Sequence, residues 1–537
     1  MVTVRVWLVR WIGLFSLIVC GGIGPVAAKM KILLVPLDDR PSSWQFPQKM
    51  GEIGDVDVVL PPRALWGRFM EPGQSDRIVS WIRSQDLSTY DAAIVAVDML
   101  AYGGLVGSRT YQVSSSAALR RIRVLEEMRS KAPGLKIYAQ NVIMRLALTY
   151  DRENAAYYSK FSEWAKISAS TDAASRQRTA EFEKEIPGHI LKNYLRARKR
   201  NLQSNLAAIR LVKKGVVDFL ILSQDDASPV GIHVADREKL KQAIKELGVT
   251  SKVAIQPGAD EVSMLLLARA LNTFHHQRTA VKAIYCSEEK ANTVMPYEDV
   301  PLRETVSHHL AAAGASEVQD EEEADLLFFV FASRDVAGRA ETFVEEIARY
   351  VEQGKRVAVA DVDPIGNIQG GDETFTSLLI REGLMPRLSG YASWNTAGNT
   401  IGTVLPQGLI FTLTDSRLMT DPATSRKVMA AHRWFTLHRV MDDYYYHNLV
   451  RKKTQGYMKA EGLGSLIMDE EQARGVEQYA RTLMHDFFDG FTETFFRDVA
   501  TEKQQIHCKC IGDIRFSLPW NRTFEAEIDF DIECALN

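Results

Sequence analysis

Val216-Val217-Asp218-Phe219-Leu220-Ile221-Leu222-Ser223-Gln224-Asp225-Asp226-Ala227-Ser228-Pro229 is an apolar run of strand length that stops on two adjacent carboxylates and a proline-containing turn. The run does not alternate between apolar and polar, and helical sequence flanks it at 189–214 and 236–247. A short, continuously apolar segment between helices reads as a strand buried on both faces, the mark of a parallel sheet. The same signature recurs at 32–37, 56–60, 92–97, 136–144, 253–255, 281–285, 326–331 and 357–360, with further helices expected around 114–131, 152–168, 172–185, 261–273, 340–353 and 423–449. The fold class is therefore α/β, with mostly parallel strands alternating with helices. The strand count suits either a (β/α)8-like barrel or tandem doubly wound sheets. A helical region follows, and then a C-terminal β-hairpin, expected because Ile511, Ile514 and Phe516 on one side of Asn521 alternate as Phe524, Ile528 and Phe530 do on the other.

Composition fits this reading. The 537 residues are 46% hydrophobic and 25% charged, enough to bury one large core or two to three ordinary ones. A net charge of −3 gives no electrostatic case for nucleic acid. The one basic run, Arg196-Ala197-Arg198-Lys199-Arg200, is expected to be a solvated helix face. Residues 1–28 read as a cleavable signal peptide, with Arg5 and Arg10, an apolar stretch at 11–19, and Pro25-Val26-Ala27-Ala28 before the cut. The competing reading of that segment is a membrane anchor. The expected product is a periplasmic or secreted protein beginning at Lys29, with no stable membrane span after leader removal and with regions at 29–275, 276–420 and 421–537. In such a compartment disulfides persist. Cys508 and Cys534 lie symmetrically about Asn521, which suggests a cross-strand bridge; a zinc site from His507, Cys508 and Cys510 is the sharper alternative, though not at a usual ligand spacing.

The residues expected to carry chemistry sit where apolar runs end, because strand ends of α/β sheets share one ligand-binding crevice. Asp225 and Asp226 are the expected catalytic pair: two close carboxylates repel, and one is driven to hold its proton near neutrality. Asp38, Asp39 and Arg40 follow the first strand, and the Arg40 fork suits a carboxylate clamp. Asp260 and Glu261 open a helix, so capping competes with a pocket role. Asp361 and Asp363 have the spacing that puts both on one side of a strand, where Asp-x-Asp grips a cation or two hydroxyls. Trp394, Asn395 and Asn399 lie in a run of small residues read as a loop, offering an aromatic platform and amides suited to sugar hydroxyls. Trp66 and Trp520 are weaker platform candidates.

These motifs resemble the bacterial family catalogued as domain of unknown function 4127. The shared features are Pro36-Leu37-Asp38-Asp39-Arg40-Pro41, Asp225-Asp226-Ala227-Ser228-Pro229, Pro257-Gly258-Ala259-Asp260-Glu261, Trp394-Asn395-Thr396-Ala397-Gly398-Asn399 and Pro519-Trp520-Asn521-Arg522-Thr523-Phe524. That resemblance implies no activity. Residues 217–226 are also similar to the strand of family 84 glycoside hydrolases that ends in two aspartates, without that family's Gly-Phe-Tyr-Gly start. The similarity implies that Asp225 orients a substrate 2-acetamido group and Asp226 is the general acid and base.

Three functions are therefore in contention. The leading expectation is an exported glycoside hydrolase with a carbohydrate substrate and carboxylate acid/base catalysis. It needs no cofactor: no dinucleotide fingerprint, phosphate loop, zincin helix or nucleophile elbow is present. The second is a divalent-metal hydrolase or isomerase using Asp38, Asp225, Asp361 and Asp363. The third is a non-catalytic glycan-binding protein.

Overall fold

The computed structural model describes residues 29–536 except 152, 335, 337, 367–369, 419–420, 465–467 and 497–505; the leader expected at 1–28 lies outside the described residues. Two open parallel sheets follow one another along the chain. The first contains β1 (Lys31–Val35), β2 (Asp57–Val59), β3 (Ala92–Ala96), β4 (Lys136–Ile143), β5 (Phe219–Gln224) and β6 (Val253–Pro257), in the spatial order β2-β1-β3-β4-β5-β6. The second contains β7 (Ala280–Tyr285), β8 (Ser316–Glu317), β9 (Leu326–Phe331), β10 (Val357–Asp361) and β11 (Gly390–Ala392), in the order β8-β7-β9-β10-β11. Both sheets thus reverse direction beside their first strand and continue outward. Of the two architectures open to the sequence, the fold is tandem doubly wound sheets. A barrel would need the first and last strands to pair, whereas β2 and β6 are edges of the first sheet.

Apolar side chains account for the parallel arrangement. β9, Leu-Leu-Phe-Phe-Val-Phe, has no polar residue and every side chain is buried, so helices must cover both its faces. One apolar core runs through both sheets and the C-terminal region, joining Leu34, Leu267, Phe329, Leu405, Phe435 and Phe530. The Pro41–Ile53 and Val262–Phe274 helices of the first unit pack on the Ala397–Leu418 helix of the second.

That last helix begins inside the run read from sequence as a loop: Trp394 to Thr396 are non-helical, and the helix takes over from Ala397. Its small residues serve close packing: a Cβ on Gly398 would stand 3.1 Å from the Pro257 carbonyl oxygen, and one on Gly402 would stand 2.1 Å from Glu261 Cγ. The glycines therefore let one helix lie against the strand ends of the other unit. A second correction concerns the basic run. Arg198 and Arg200 are buried, with Arg200 bonded to the carbonyls of Ser108, Thr110 and Val113 and lying 3.9 Å over the Tyr102 ring. The Gly188–Lys213 helix turns those positions toward loop carbonyls, Met144 and Arg145 for Arg198 and Ser108, Thr110 and Val113 for Arg200, so guanidinium groups are held inside.

The C-terminal region contains the helices from Pro422–Arg439 to Glu470–Phe496 and an antiparallel hairpin of β12 (Ile506–Ser517) and β13 (Glu527–Leu536). Cys508 stands opposite Cys534 in register and is joined to it by a disulfide, which takes Cys508 out of the zinc grouping with Cys510 and His507. The Pro422–Arg439 helix packs on both β13 and the Pro41–Ile53 helix, bringing the hairpin to the strand ends of the first sheet. Among the described residues no helix is long and apolar enough to cross a membrane.

Candidate functional site

Arg40 is the centre of the first group. It leaves β1 through Leu37-Asp38-Asp39, and Pro41, preset for the first helical turn, fixes where it stands. Its guanidinium clamps two carboxylates from distant parts of the chain. Asp38 accepts from Nε at 3.0 Å and Nη2 at 2.7 Å, and Asp260, beyond β6, accepts from Nη1 at 2.9 Å and Nη2 at 2.6 Å. Asp260 thus spends its carboxylate on Arg40; the helix cap is Glu261, whose side chain makes no capping bond. Asp39 turns the other way and accepts from Trp520 Nε1 at 2.9 Å. Burial, with the charge of Asp38, pushes the Asp39 carboxyl up to about 6. Asp260, also buried, is likewise at about 6 against the pull of Arg40.

Asp225 and Asp226 follow β5, and each has its own arginine. Arg109 donates to Asp225 at 2.5 Å, and Arg145 to Asp226 at 2.5 Å. Burial raises both carboxyls, but Arg109 and Arg145 outweigh it at Asp225, which titrates below the ordinary range. At Asp226 burial outweighs Arg145, the charge of Asp225 adds to it, and the carboxyl titrates above the ordinary range. Asp226 also adopts a left-handed backbone, φ 44°, and leaves 32% of its side chain exposed, against 10% for Asp225. Asp225 interacts electrostatically with both Arg40 and Asp260, so the two groups are neighbours.

The second sheet contributes from across the junction. Asp361 closes β10 and is nearly inaccessible: its carboxylate accepts from the Asp372 backbone N–H at 2.6 Å, and burial raises it to about 6. Asp363 makes a turn by accepting from Ile365 N–H at 2.8 Å, with Arg334 3.6 Å away. Beyond β11, Trp394 and Asn395 are half-buried, Asn395 in a left-handed conformation with φ 58°. They line a cleft together with Arg40, Asp442, His447 and Glu525, so residues from both sheets, the helical region and the hairpin loop meet there. Asn399 lies below, buried at the start of the helix. Glu261 is fully buried, with His309 Nε2 3.5 Å from its carboxylate. Trp66 is buried with its indole N–H on the Pro61 carbonyl, and Trp520 is buried on Asp39; Trp394 alone of the three reaches the cleft.

The four carboxylates of the metal reading do not gather. Asp38 is on Arg40, Asp225 on Arg109, and Asp361 and Asp363 lie toward Arg334; among the described residues no group of three or more His, Cys, Asp or Glu is placed to hold a metal ion.

Over residues 32–529 the sequence matches the family described as protein of unknown function, DUF4127. The chain belongs to the DUF4127 family. No curated protein matches it. In this DUF4127 chain, the residues that sequence reasoning missed are concentrated on Val440–Val450, which is wound as a π-helix. Such windings are rare and cluster at functional sites. From it Asp443 accepts from Ser393 N–H at 2.7 Å, and Asp442 and Asp443 accept from the fully buried Arg439 at 2.8 and 2.9 Å. Burial raises Asp443 to about 7; at Asp442 burial is overcome by Arg439, and the carboxyl is held well below the ordinary range. The sequence signal was present as Asp442-Asp443 and His447-Asn448, but inside an expected helix with no apolar strand before it.

Proposed function

We propose that this DUF4127 protein is an exported glycoside hydrolase in which Asp226 is the proton donor to the glycosidic oxygen and Asp225 is the ionised partner. The observation that carries the reading is the adjacent pair itself. Two carboxyls at one strand end are clamped by different arginines and titrate in opposite directions, and the one that burial and its charged neighbour hold above the ordinary range is also the more exposed. That division of labour is what glycoside cleavage requires: an acid to protonate the leaving oxygen, and a carboxylate to balance the positive charge that builds on the ring. The similarity of residues 217–226 to the family 84 strand assigns the two aspartates in the same order. Tyr297, 44% exposed, feels the charges of both Asp226 and Asp363, so an acid from each sheet lies within electrostatic range of one exposed ring. Trp394 and Asn395 supply an aromatic face and an amide on the cleft lined by Arg40, which interacts electrostatically with Asp225. The disulfide of the hairpin is in keeping with export.

Turnover of a glycan panel by the secreted protein and by Asp226→Asn tests this. General acid catalysis contributes on the order of 10²–10⁴ in rate, so the variant should lose about that factor with its thermal denaturation midpoint little changed. Full turnover by Asp226→Asn would refute the assignment.

A further inference from the structure

Two buried acids at the junction of the two sheets, Glu298 and Glu261, have no arginine or lysine within ion-pair distance among the described residues. Glu298 follows β7 and is 2% exposed. Its Oε1 accepts from the Gly398 backbone N–H at 2.8 Å, in the first turn of the Ala397–Leu418 helix, and its Oε2 has no hydrogen-bond partner. The charges around it are of one sign, Glu261 from the first unit and Asp226 beyond β5. A buried carboxyl without a counter-ion and with two acids for neighbours is held as the neutral acid. Burial, with those two charges, pushes it from 4.5 up to about 8. The next residue, Asp299, accepts from Gln224 Nε2 at 2.8 Å and pairs with Arg237, which ties this segment to the end of β5.

Glu261 fills a slot left by glycines. A Cβ on Gly258 would stand 2.1 Å from its Oε1, and one on Gly402 would stand 2.1 Å from its Cγ. Both carboxyl oxygens lack a hydrogen-bond partner, and Oε1 lies 3.5 Å from Nε2 of the fully buried His309, on the Leu302–Ala312 helix. His309 Nδ1 lies 2.7 Å from the Thr305 carbonyl oxygen, which can only accept, so Nδ1 carries a hydrogen. A neutral ring therefore turns a bare lone pair toward Glu261, and the approach is attractive only with a proton between the two, on Nε2 or on the carboxyl. Gly398 and Gly402 are four residues apart on one helix, so both acids press on the same helical face. Other ionisable groups nearby have partners of their own: Asp226 has Arg145 and Asp299 has Arg237, while His308, beside His309, feels Glu304 and Lys241.

We propose that Glu298, Glu261 and His309 form a proton-dependent lock on the junction, in which their buried protons hold the Ala397–Leu418 helix of the second unit against the 257–261 turn of the first. That turn carries Asp260 to Arg40, and the helix follows directly on Trp394 and Asn395, so release of the lock loosens the groups gathered around Arg40. The lock is independent of the hydrolase reading. Its pH dependence follows from the proton on Glu298: the stabilisation is complete below 4.5, falls as pH rises to 8 and is gone above that. An opening that exposes Glu298 releases the proton, so the opening constant rises by up to about tenfold per pH unit within that window and then levels off.

Amide exchange of the intact protein, read by mass spectrometry at pH 6, 7 and 9 and corrected for the intrinsic pH dependence of exchange, tests this. Corrected exchange in 257–265 and 396–405 should rise by up to about tenfold from pH 6 to 7 and level off by pH 9, with β9 unchanged. Glu298→Gln keeps an acceptor for the Gly398 N–H and cannot ionise, so it should abolish most of that rise and raise the thermal midpoint at pH 9 above the parent's. Glu261→Gln donates to His309 Nε2 without a titratable proton and should reduce the rise as well; it serves as the test if Glu298→Gln does not fold. Corrected exchange that does not change with pH in the parent, a rise that β9 shares, or a rise that the folded variants retain would overturn the proposal, and each of these leaves the hydrolase reading untouched.

Discussion

Replacing Asp39 by Asn should make the protein more stable at neutral pH, and only there. The Asp39 carboxyl is 7% exposed and is displaced from the ordinary value of 3.8 to about 6 by burial and by the neighbouring charge of Asp38. A group whose folded pKa lies above its unfolded value favours the fold while protonated and loses that contribution as pH rises. The penalty is absent below about pH 4, develops between 3.8 and 6, and is complete above 6. A displacement of about two pH units is worth about 3 kcal/mol. Asn keeps the acceptor that Trp520 Nε1 uses at 2.9 Å and removes the charge, so the gain has an upper bound near that figure, the pull of Arg40 on the anion being already contained in the shift. Thermal denaturation of both proteins at pH 4, 6 and 7.5 checks this. The variant should match the parent at pH 4 and exceed it increasingly at pH 6 and 7.5. A gain of equal size at all three values, or a loss at pH 7.5, would show that the carboxylate is not strained by burial.

Three further outcomes follow from named contacts. Arg40→Met strands Asp38 and Asp260 as buried charges and should cost about 3–5 kcal/mol at pH 7.5, measured by denaturant unfolding, with the cost shrinking toward pH 5 as Asp260 takes up a proton. Gly398→Ala puts a Cβ 3.1 Å from the Pro257 carbonyl oxygen and 3.2 Å from Gly258, both backbone; it should lower the thermal midpoint by the equivalent of about 1–3 kcal/mol and raise proteolysis at the junction of the two sheets. Cys508→Ser with Cys534→Ser opens a loop closed across 26 residues and should remove about 3 kcal/mol from the stability of the hairpin, read as faster amide exchange along β12 and β13.

What the sequence made legible follows from which forces act locally. Continuously apolar strands such as Leu326–Phe331 declare themselves, because burial on both faces leaves no other composition possible. The hairpin and its Cys508–Cys534 pairing were readable from alternation about Asn521 for the same reason. The Ala397–Leu418 helix was not, because Gly398, Gly402 and Gly408 are poor helix formers and are there for close packing against Pro257, Glu261 and Ala358. Arg200 was misread because only tertiary structure supplies the carbonyls of Ser108 and Thr110. At the strand ends the sequence marked Asp38, Asp225 and Asp260 as carboxylates of interest and Arg40 as a clamp beside Asp38, but held no trace of the distant partners: Arg109 lies 116 residues from Asp225, and Asp260 lies 220 residues from Arg40. A charge at a strand end is local information, whereas its counter-charge is a property of the fold.

This division explains why the cleft is built from several parts of the chain. Isolated carboxylates at strand ends would repel one another and take up protons; most are instead matched with an arginine, Arg40, Arg109, Arg145, Arg334 or Arg439, while Asp39 turns to the Trp520 indole. The matching is deliberately incomplete in its effect: Asp39, Asp260, Asp361 and Asp443 still titrate between about 6 and 7, close enough to neutrality to exchange protons. Several of the holding groups come late in the chain. Trp520 and Glu525 belong to the hairpin loop, and Asp442 and His447 to the π-helix, so the strand ends of the first sheet are completed only once the C-terminal region has docked. The C-terminal 100 residues therefore belong to the candidate site as much as to the scaffold: they supply the groups that hold Asp39 and border Arg40, and they share one apolar core with both parallel sheets.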